Sequence, residues 1–218
     1  MAAKFENNNL IVLNPLSGDK VDTLTVSDEK YINDSILNAK IDSSWPSLSV
    51  SKRISCINKF RKELLKNKKE IASTIKNETG KIDFDITVEI LTSLEHLKQI
   101  ASIAKKALKI QRRNAGLMKT KKAYVKYEPL GVAGVIAPWN YPLATPLTSS
   151  AEALIAGNNV ILKPSEHTPL TSKLLKKIWD NTIEYKNAFQ VVIGGADVGE
   201  SIVKNSDIDI VCFTGSTF

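Results

Sequence analysis

Cysteine and histidine are nearly absent, with two of each in 218 residues. Cys56 and Cys212 lie far apart, His96 has no second ligand-type residue at metal spacing on its helix face, and His167 is the only other histidine. A disulfide framework and a zinc centre are both excluded on these grounds, and no metal site is expected. Arginine is also scarce: 26 of the 30 basic residues are lysine, against 23 acidic ones, for a net charge of +7. Proteins that read nucleic acid concentrate arginine, so the surplus is read as a solvated lysine-rich surface and a nucleic-acid partner is disfavoured. The one place where such a patch can be argued is Lys119, Lys121, Lys122 and Lys126 beside Tyr124 and Tyr127. No apolar run approaches the roughly 20 residues of a bilayer span, and the first nine residues are polar where a signal peptide would be apolar. A soluble, cytoplasmic chain with no membrane partner is expected. What remains is ordinary globular composition, 43% hydrophobic and 24% charged with 10 Gly and 8 Pro, enough to bury a real core.

The first 120 residues read as a hairpin followed by helices. Residues 10–12 and 20–26 are β-prone around a Ser17-Gly18-Asp19 turn, and Ser27 is the expected N-cap of a helix running to about Lys40. From Ser51, Ile54, Ile57, Phe60, Leu64, Ile71 and Ile75 recur at helical steps until Gly80, with Cys56 one step from the stripe in a packing role. A second stripe runs from Ile86 through Ile90, Leu94, Leu97 and Ile100 to an expected end at Arg112-Arg113-Asn114. His96 lies in it with a surface or packing role.

Residues 123–128 read as a two-sided strand. Beyond Pro129 four apolar runs, 132–137, 159–162, 190–193 and 208–213, alternate with helix candidates at 142–156, 169–183 and 196–204. Strand, helix, strand repeated three times is the pattern of a doubly wound parallel α/β sheet with right-handed crossovers. In such a sheet the strand C-termini share one rim, and ligands bind there.

Each run ends in residues suited to that rim. Lys163 and Glu166 follow the second, where an acid can grip a ribose through its hydroxyls; the alternative is a surface ion pair. Gly194, Gly195 and Gly199 follow the third and permit close approach to backbone at a helix start, or simply make a turn. Thr214 to Thr217, TGST, follow the fourth and suit the N-cap of a phosphate-binding helix. Asn140 stands between Trp139 and Tyr141 after the first. Its amide could donate to an oxyanion, or its side chain could close an Asx turn or cap a helix before Pro142. Cys212 is expected to be a buried sheet thiol.

Together these blocks resemble the aldehyde dehydrogenase superfamily: YEPLGVAGVIAPWNYP (127–142), AGNNVILKPSEHTP (156–169), VVIGGADVG (191–199) and CFTGST (212–217), in order and spacing. Trp45 with residues 52–81 is similar to the family's N-terminal helices. The resemblance implies a Rossmann-like domain and NAD(P)-dependent oxidation of an aldehyde to a carboxylic acid through a cysteine thioester. It makes Asn140 the oxyanion donor and sets Ile136, Pro138 and Trp139 along the dinucleotide. It puts Lys163 and Glu166 on the adenosine ribose, Gly195 and Gly199 beside the adenine, and Phe213, Gly215 and Ser216 near the pyrophosphate. A carboxylate at Glu166 favours NAD, with NADP as the alternative.

The resemblance also implies a division into residues 1–120, an assembly-arm strand at 121–130 and an incomplete dinucleotide-binding core at 131–218. A homo-oligomer is expected at full length. The family's general base and nucleophilic cysteine follow the TGST block, so neither Cys56 nor Cys212 matches a catalytic position. A truncated, poorly stable and inactive chain is expected. The alternatives are a non-catalytic dinucleotide-binding or oligomerising fragment and an acyl-phosphate reductase of the same superfamily.

Overall fold

The computed structural model describes residues 3–216. Thr217, the last residue of the TGST motif, lies outside them. The chain opens with an antiparallel sheet of β1 (Ala3–Glu6), β2 (Asn9–Leu13) and β3 (Lys20–Thr25), in that order. The first strand was not foreseen. Its turn is Asn7-Asn8, both at positive φ (46° and 62°), the backbone that a two-residue hairpin of right-handed twist requires and that asparagine tolerates.

Helices α1 (Glu29–Ile41), α2 (Val50–Lys66), α3 (Lys68–Thr79) and α4 (Asp83–Ala107) follow. The cap of α1 is Asp28, which accepts from the Tyr31 N–H, rather than Ser27. Ser27 instead exchanges bonds with Ile193: its N–H donates to the Ile193 carbonyl at 2.8 Å and its Oγ accepts the Ile193 N–H at 2.9 Å. The stripe expected as one helix from Ser51 to Gly80 is two. Asn67 breaks it by donating its side-chain amide to the Glu63 carbonyl at 2.8 Å, a local bond that competes with the helical ladder. Gly80 does close α3, in the left-handed conformation at φ 68° with its N–H on the Lys76 carbonyl.

Helix α4 stops at Ala107, short of the expected end. Arg112 and Arg113 belong to strand β4 (Gln111–Arg113), which pairs antiparallel with β5 (Ala123–Val125), the only part of the expected 123–128 strand that pairs.

The parallel unit contains β6 (Val132–Ile136), α5 (Ala144–Ala156), β7 (Asn159–Lys163), α6 (Pro169–Thr182), β8 (Phe189–Val191), α7 (Ala196–Lys204) and β9 (Ile210–Phe213). All three strand pairings are parallel, in the order β8-β7-β6-β9. The doubly wound expectation is met. Two crossovers step one way and the third returns, so right-handedness puts α5 and α6 on one face and α7 on the other, where it meets α1. Helices α2, α3 and α4 form an outer layer against α5 and α6. No described helix is long and apolar enough to cross a membrane.

Few aromatics suffice because they are gathered. Trp179 of α6 meets Trp45, Phe60 and Phe189 edge-on at ring distances of 5.6, 5.2 and 5.6 Å, joining the outer helices to the sheet. Several polar side chains reach the core to finish helix ends. The Trp45 Nε1 donates to the Leu154 carbonyl, and Arg53, buried in α2, donates through Nε to Ile155 and through Nη1 to Leu48 and Pro46, at 2.6 to 3.3 Å. Leu154 and Ile155 belong to the last turn of α5, where the helical ladder runs out; the Gly157 N–H also reaches the Leu154 carbonyl.

Arg53→Met would strip these buried carbonyls of a charged donor. Urea unfolding should register a loss of about 2–4 kcal/mol, against at most about 0.5 kcal/mol for the exposed neighbour Lys52→Met.

Candidate functional site

In register, Ile136 of β6 pairs with Lys163 of β7 and with Phe213 of β9, while Leu162 pairs with Val191 of β8. The C-terminal ends of all four strands therefore align along one rim, about 14 Å across at the usual strand spacing. The loops carrying Asn140, Glu166, Gly195 and Ser216 all leave from it. Strand order reverses between β6 and β9, the switch point at which parallel sheets open a crevice.

A cleft of about 360 Å³ lies at that point, lined by Pro138, Trp139, Asn140, Tyr141, Thr145, Thr214, Gly215 and Ser216. The Thr214 N–H donates to the Ile136 carbonyl at 3.0 Å, tying its two walls together. Trp139 and Phe213 expose large apolar surfaces on this rim, at 58% and 63%. The Asn140 Oδ1 accepts the N–H of the next residue, Tyr141, at 3.1 Å, which is neither an Asx turn, whose donor lies two residues on, nor a cap of α5, whose N-cap position is Leu143. That bond uses the acceptor end and leaves the amide Nδ2 as the donor.

The second part of the rim centres on Lys163. It is no surface ion pair: Lys163 is 4% exposed, its Nζ donates to the Pro164 carbonyl at 3.0 Å, and the Glu166 Oε2 lies 3.9 Å away. Burial lowers the Lys163 pKa, while Glu166 and Asp197 pull it back up. Gly199, in the first turns of α7, backs this side chain. A Cβ there would stand 3.5 Å from the Lys163 Cδ and 4.0 Å from the Ile136 Cδ1. Gly195 is the N-cap of α7, with no side-chain cap bond, and Asp197 follows in the first turn. With a carboxylate already at the helix start, the glycines suit close approach of an uncharged group rather than an anion.

Cys212 is not the buried thiol expected. It is exposed, because β9 edges the sheet among the described residues and all four of its residues lie open. Cys56 is buried on α2, away from the rim. Another cavity, of about 570 Å³ between β3 and α6, is lined by none of the candidate catalytic or cofactor-binding residues. No cluster of three or more metal-ligating side chains occurs among the described residues.

Sequence reading missed two buried carboxylates beneath the rim. Glu89 of α4 accepts the Leu143 and Ala144 N–H groups at 2.9 and 3.2 Å, at the start of α5, and pairs with the Lys81 Nζ at 2.7 Å. Glu78 of α3 accepts the Leu170 N–H, the Thr171 N–H and the Thr171 hydroxyl at 2.5, 3.0 and 2.6 Å, at the start of α6. Thr168 stands at the N-cap of α6 but makes no cap bond, because Glu78 does that work. Both acids lie in phase with their helices' buried stripes: Glu78 is three residues past Ile75, and Glu89 three past Ile86. That phase was the available signal.

A sequence model described as the aldehyde dehydrogenase family matches residues 3–218. A betaine aldehyde dehydrogenase of Vibrio vulnificus is 31% identical over 207 residues, 94% of this chain and 42% of the relative. The chain thus spans about two fifths of the length of the curated relatives it matches. Among solved structures, a Mycobacterium tuberculosis aldehyde dehydrogenase complexed with NAD+ superposes with a TM-score of 0.88 at 27% identity, over 94% of this chain and 43% of that one. A Staphylococcus aureus betaine aldehyde dehydrogenase in complex with NAD+ has a TM-score of 0.89 at 22% identity, over 94% and 41%, and shares the fold.

Burial pushes the Glu78 carboxyl up from 4.5 to about 7, against the downward pull of its Thr171 and Leu170 donors. A folded value above the unfolded one gives stability that is full below about pH 4.5 and lost as pH rises to about 7. Urea unfolding from pH 4.5 to 7.5 should show a fall of up to about 3 kcal/mol from this group, and Glu78→Gln should remove that part of the slope.

Proposed function

The chain belongs to the aldehyde dehydrogenase family, and from that premise we propose that its sheet rim holds NAD for the oxidation of an aldehyde to a carboxylic acid. The observation that carries this reading is the register that sets Ile136, Lys163 and Phe213 side by side at the strand ends, with Asn140 and Glu166 on the loops that follow. The residues fit such a group. A buried ammonium and a half-exposed carboxylate 3.9 Å apart offer a donor and an acceptor to a ribose diol. Gly199 leaves unfilled the space beside them that a Cβ would take.

In this reading Lys163 and Glu166 hold the adenosine ribose, and Gly195 and Gly199 flank the adenine. Ile136, Pro138 and Trp139 run along the dinucleotide, and Phe213, Gly215 and Ser216 stand near the pyrophosphate. NAD, when bound, supplies the two-electron acceptor. Asn140 orients its Nδ2 toward the cleft as the donor to the aldehyde oxygen when negative charge develops there, a contribution of about 3 kcal/mol to such a barrier. Neither Cys56 nor Cys212 is assigned the thioester step. The segment 121–130, which carries β5 and the exposed Tyr124, is the proposed assembly arm between residues 1–120 and the core at 131–218.

Glu166 accepts from a 2′-hydroxyl and repels a 2′-phosphate, so NAD is the proposed cofactor over NADP. Calorimetric titration of the chain should give an NAD dissociation constant at least about tenfold below that for NADP, a difference of about 1.4 kcal/mol. Glu166→Gln should narrow the ratio to about threefold or less, chiefly by improving NADP. Equal constants for the wild-type chain would remove the preference, and no NAD binding would remove the reading.

A further inference from the structure

Beneath the Asn140 loop lies a chain of contacts that cofactor binding does not use. Glu89 is fully buried, its side chain 0% exposed, and both oxygens are engaged. Oε1 takes the Leu143 and Ala144 N–H groups, where the loop becomes α5. Oε2 takes the Lys81 Nζ, and that same ammonium sits 4.4 Å from the centre of the Tyr141 ring. The Tyr141 N–H in turn donates to the Asn140 Oδ1. At the loop's other end, the Ala137 N–H donates to the Lys163 carbonyl at 3.0 Å, extending the β6–β7 ladder.

We propose that Glu89, with Lys81, is a positioning residue that fixes the Asn140 amide by holding the 137–144 loop from below. The proposal rests on the reading of Asn140 as an oxyanion donor. Three physical points favour positioning over plain packing. A carboxylate taken out of water costs several kcal/mol unless every lone pair is met, and an apolar side chain would fill the same space without that cost. Its partners are all on the loop or against it: two amides at the helix start, where a negative charge is favoured, and the cation over Tyr141. The two routes from Glu89, through the α5 amides and through Lys81 and Tyr141, both end within four residues after Asn140 and hold that side of the loop. An oxyanion donor displaced by even 1 Å loses much of its effect, so a loop otherwise exposed at Trp139, Asn140 and Tyr141 needs such an anchor.

The test compares the 218-residue chain with Glu89→Gln, Lys81→Met and Lys81→Arg. Three readouts are taken: amide hydrogen exchange along the chain, the ¹⁵N resonances of the Asn140 side-chain amide, and NAD affinity. In Glu89→Gln, exchange at residues 141–145 should rise about tenfold or more, while Ile161 and Leu162 in β7 stay within about twofold. The Asn140 amide resonances should shift or broaden. Lys81→Met should reproduce part of this change, and Lys81→Arg, which keeps both the ion pair and the cation over the ring, should restore the wild-type pattern. Unchanged exchange at 141–145, or a rise shared equally by β7, would overturn the proposal, the first by removing the anchor and the second by making Glu89 a general stabiliser. NAD affinity separates the two readings. If the wild-type chain binds no NAD, the functional reading fails, while the exchange pattern still decides whether Glu89 holds the loop.

Discussion

Helix α5 is finished at both ends by side chains it does not own. Glu89 meets its first amides, and Trp45 and Arg53 meet its last carbonyls. A helix running between two strands of a buried sheet has its ends inside the protein, where water cannot satisfy four orphan groups at each terminus. The outer helices solve this with charged and indole donors and acceptors on long side chains. The same solution serves α6, whose start is met by Glu78. It serves α1 as well, whose Ala39 carbonyl takes the Asn159 Nδ2 at 2.6 Å. The N-terminal helices are thus part of the rim's construction: they fix where the crossover helices begin, and hence where the loops that precede them lie.

The parallel unit was legible because its signals are local. Apolar runs of four to six residues, punctuated by PWNYP, KPSE, GG and TGST, admit little besides strands with polar loops at one end. Each run overlaps an observed strand, with β7 reaching one residue beyond its run to Lys163 and β8 starting one residue before its run at Phe189, and the helix at 196–204 has the bounds expected. Errors fall where a local bond overrides periodicity. Asn67 splits a stripe whose seven-residue step from Leu64 to Ile71 reads equally well through a kink. Asp28 displaces Ser27 as a cap because Ser27 is taken by Ile193, a partner 166 residues away that no local pattern announces.

The buried polar residues were illegible for a different reason. Arg53, Glu78 and Glu89 each sit at a position their helix turns inward, in phase with Ile57, Ile75 and Ile86. A charge in a core phase reads as noise in an apolar stripe. Charged residues are almost never fully buried unless paired, so such a residue announces a partner from elsewhere in the fold. The family resemblance covered residues 52–81, Arg53 and Glu78 among them, without giving either a role. Cys212 errs in the opposite sense: an apolar run reads as buried, while β9 has a strand neighbour on one side alone among the described residues.

The two buried acids also show why the caps at the crossover helices are carboxylates. Thr168 stands where a hydroxyl could cap α6 and makes no cap bond. A threonine hydroxyl has two acceptor lone pairs and reaches only the amides of its own first turn, whereas Glu78 accepts from two amides and a hydroxyl, and Glu89 from two amides and an ammonium. Because each acid is anchored on a different helix, it fixes the start of the crossover helix relative to the outer layer, which a cap within the same segment cannot do. The raised pKa of Glu78 records the cost of that choice. A charged group is kept dry so that a loop of the rim is held against a separate element rather than only against itself.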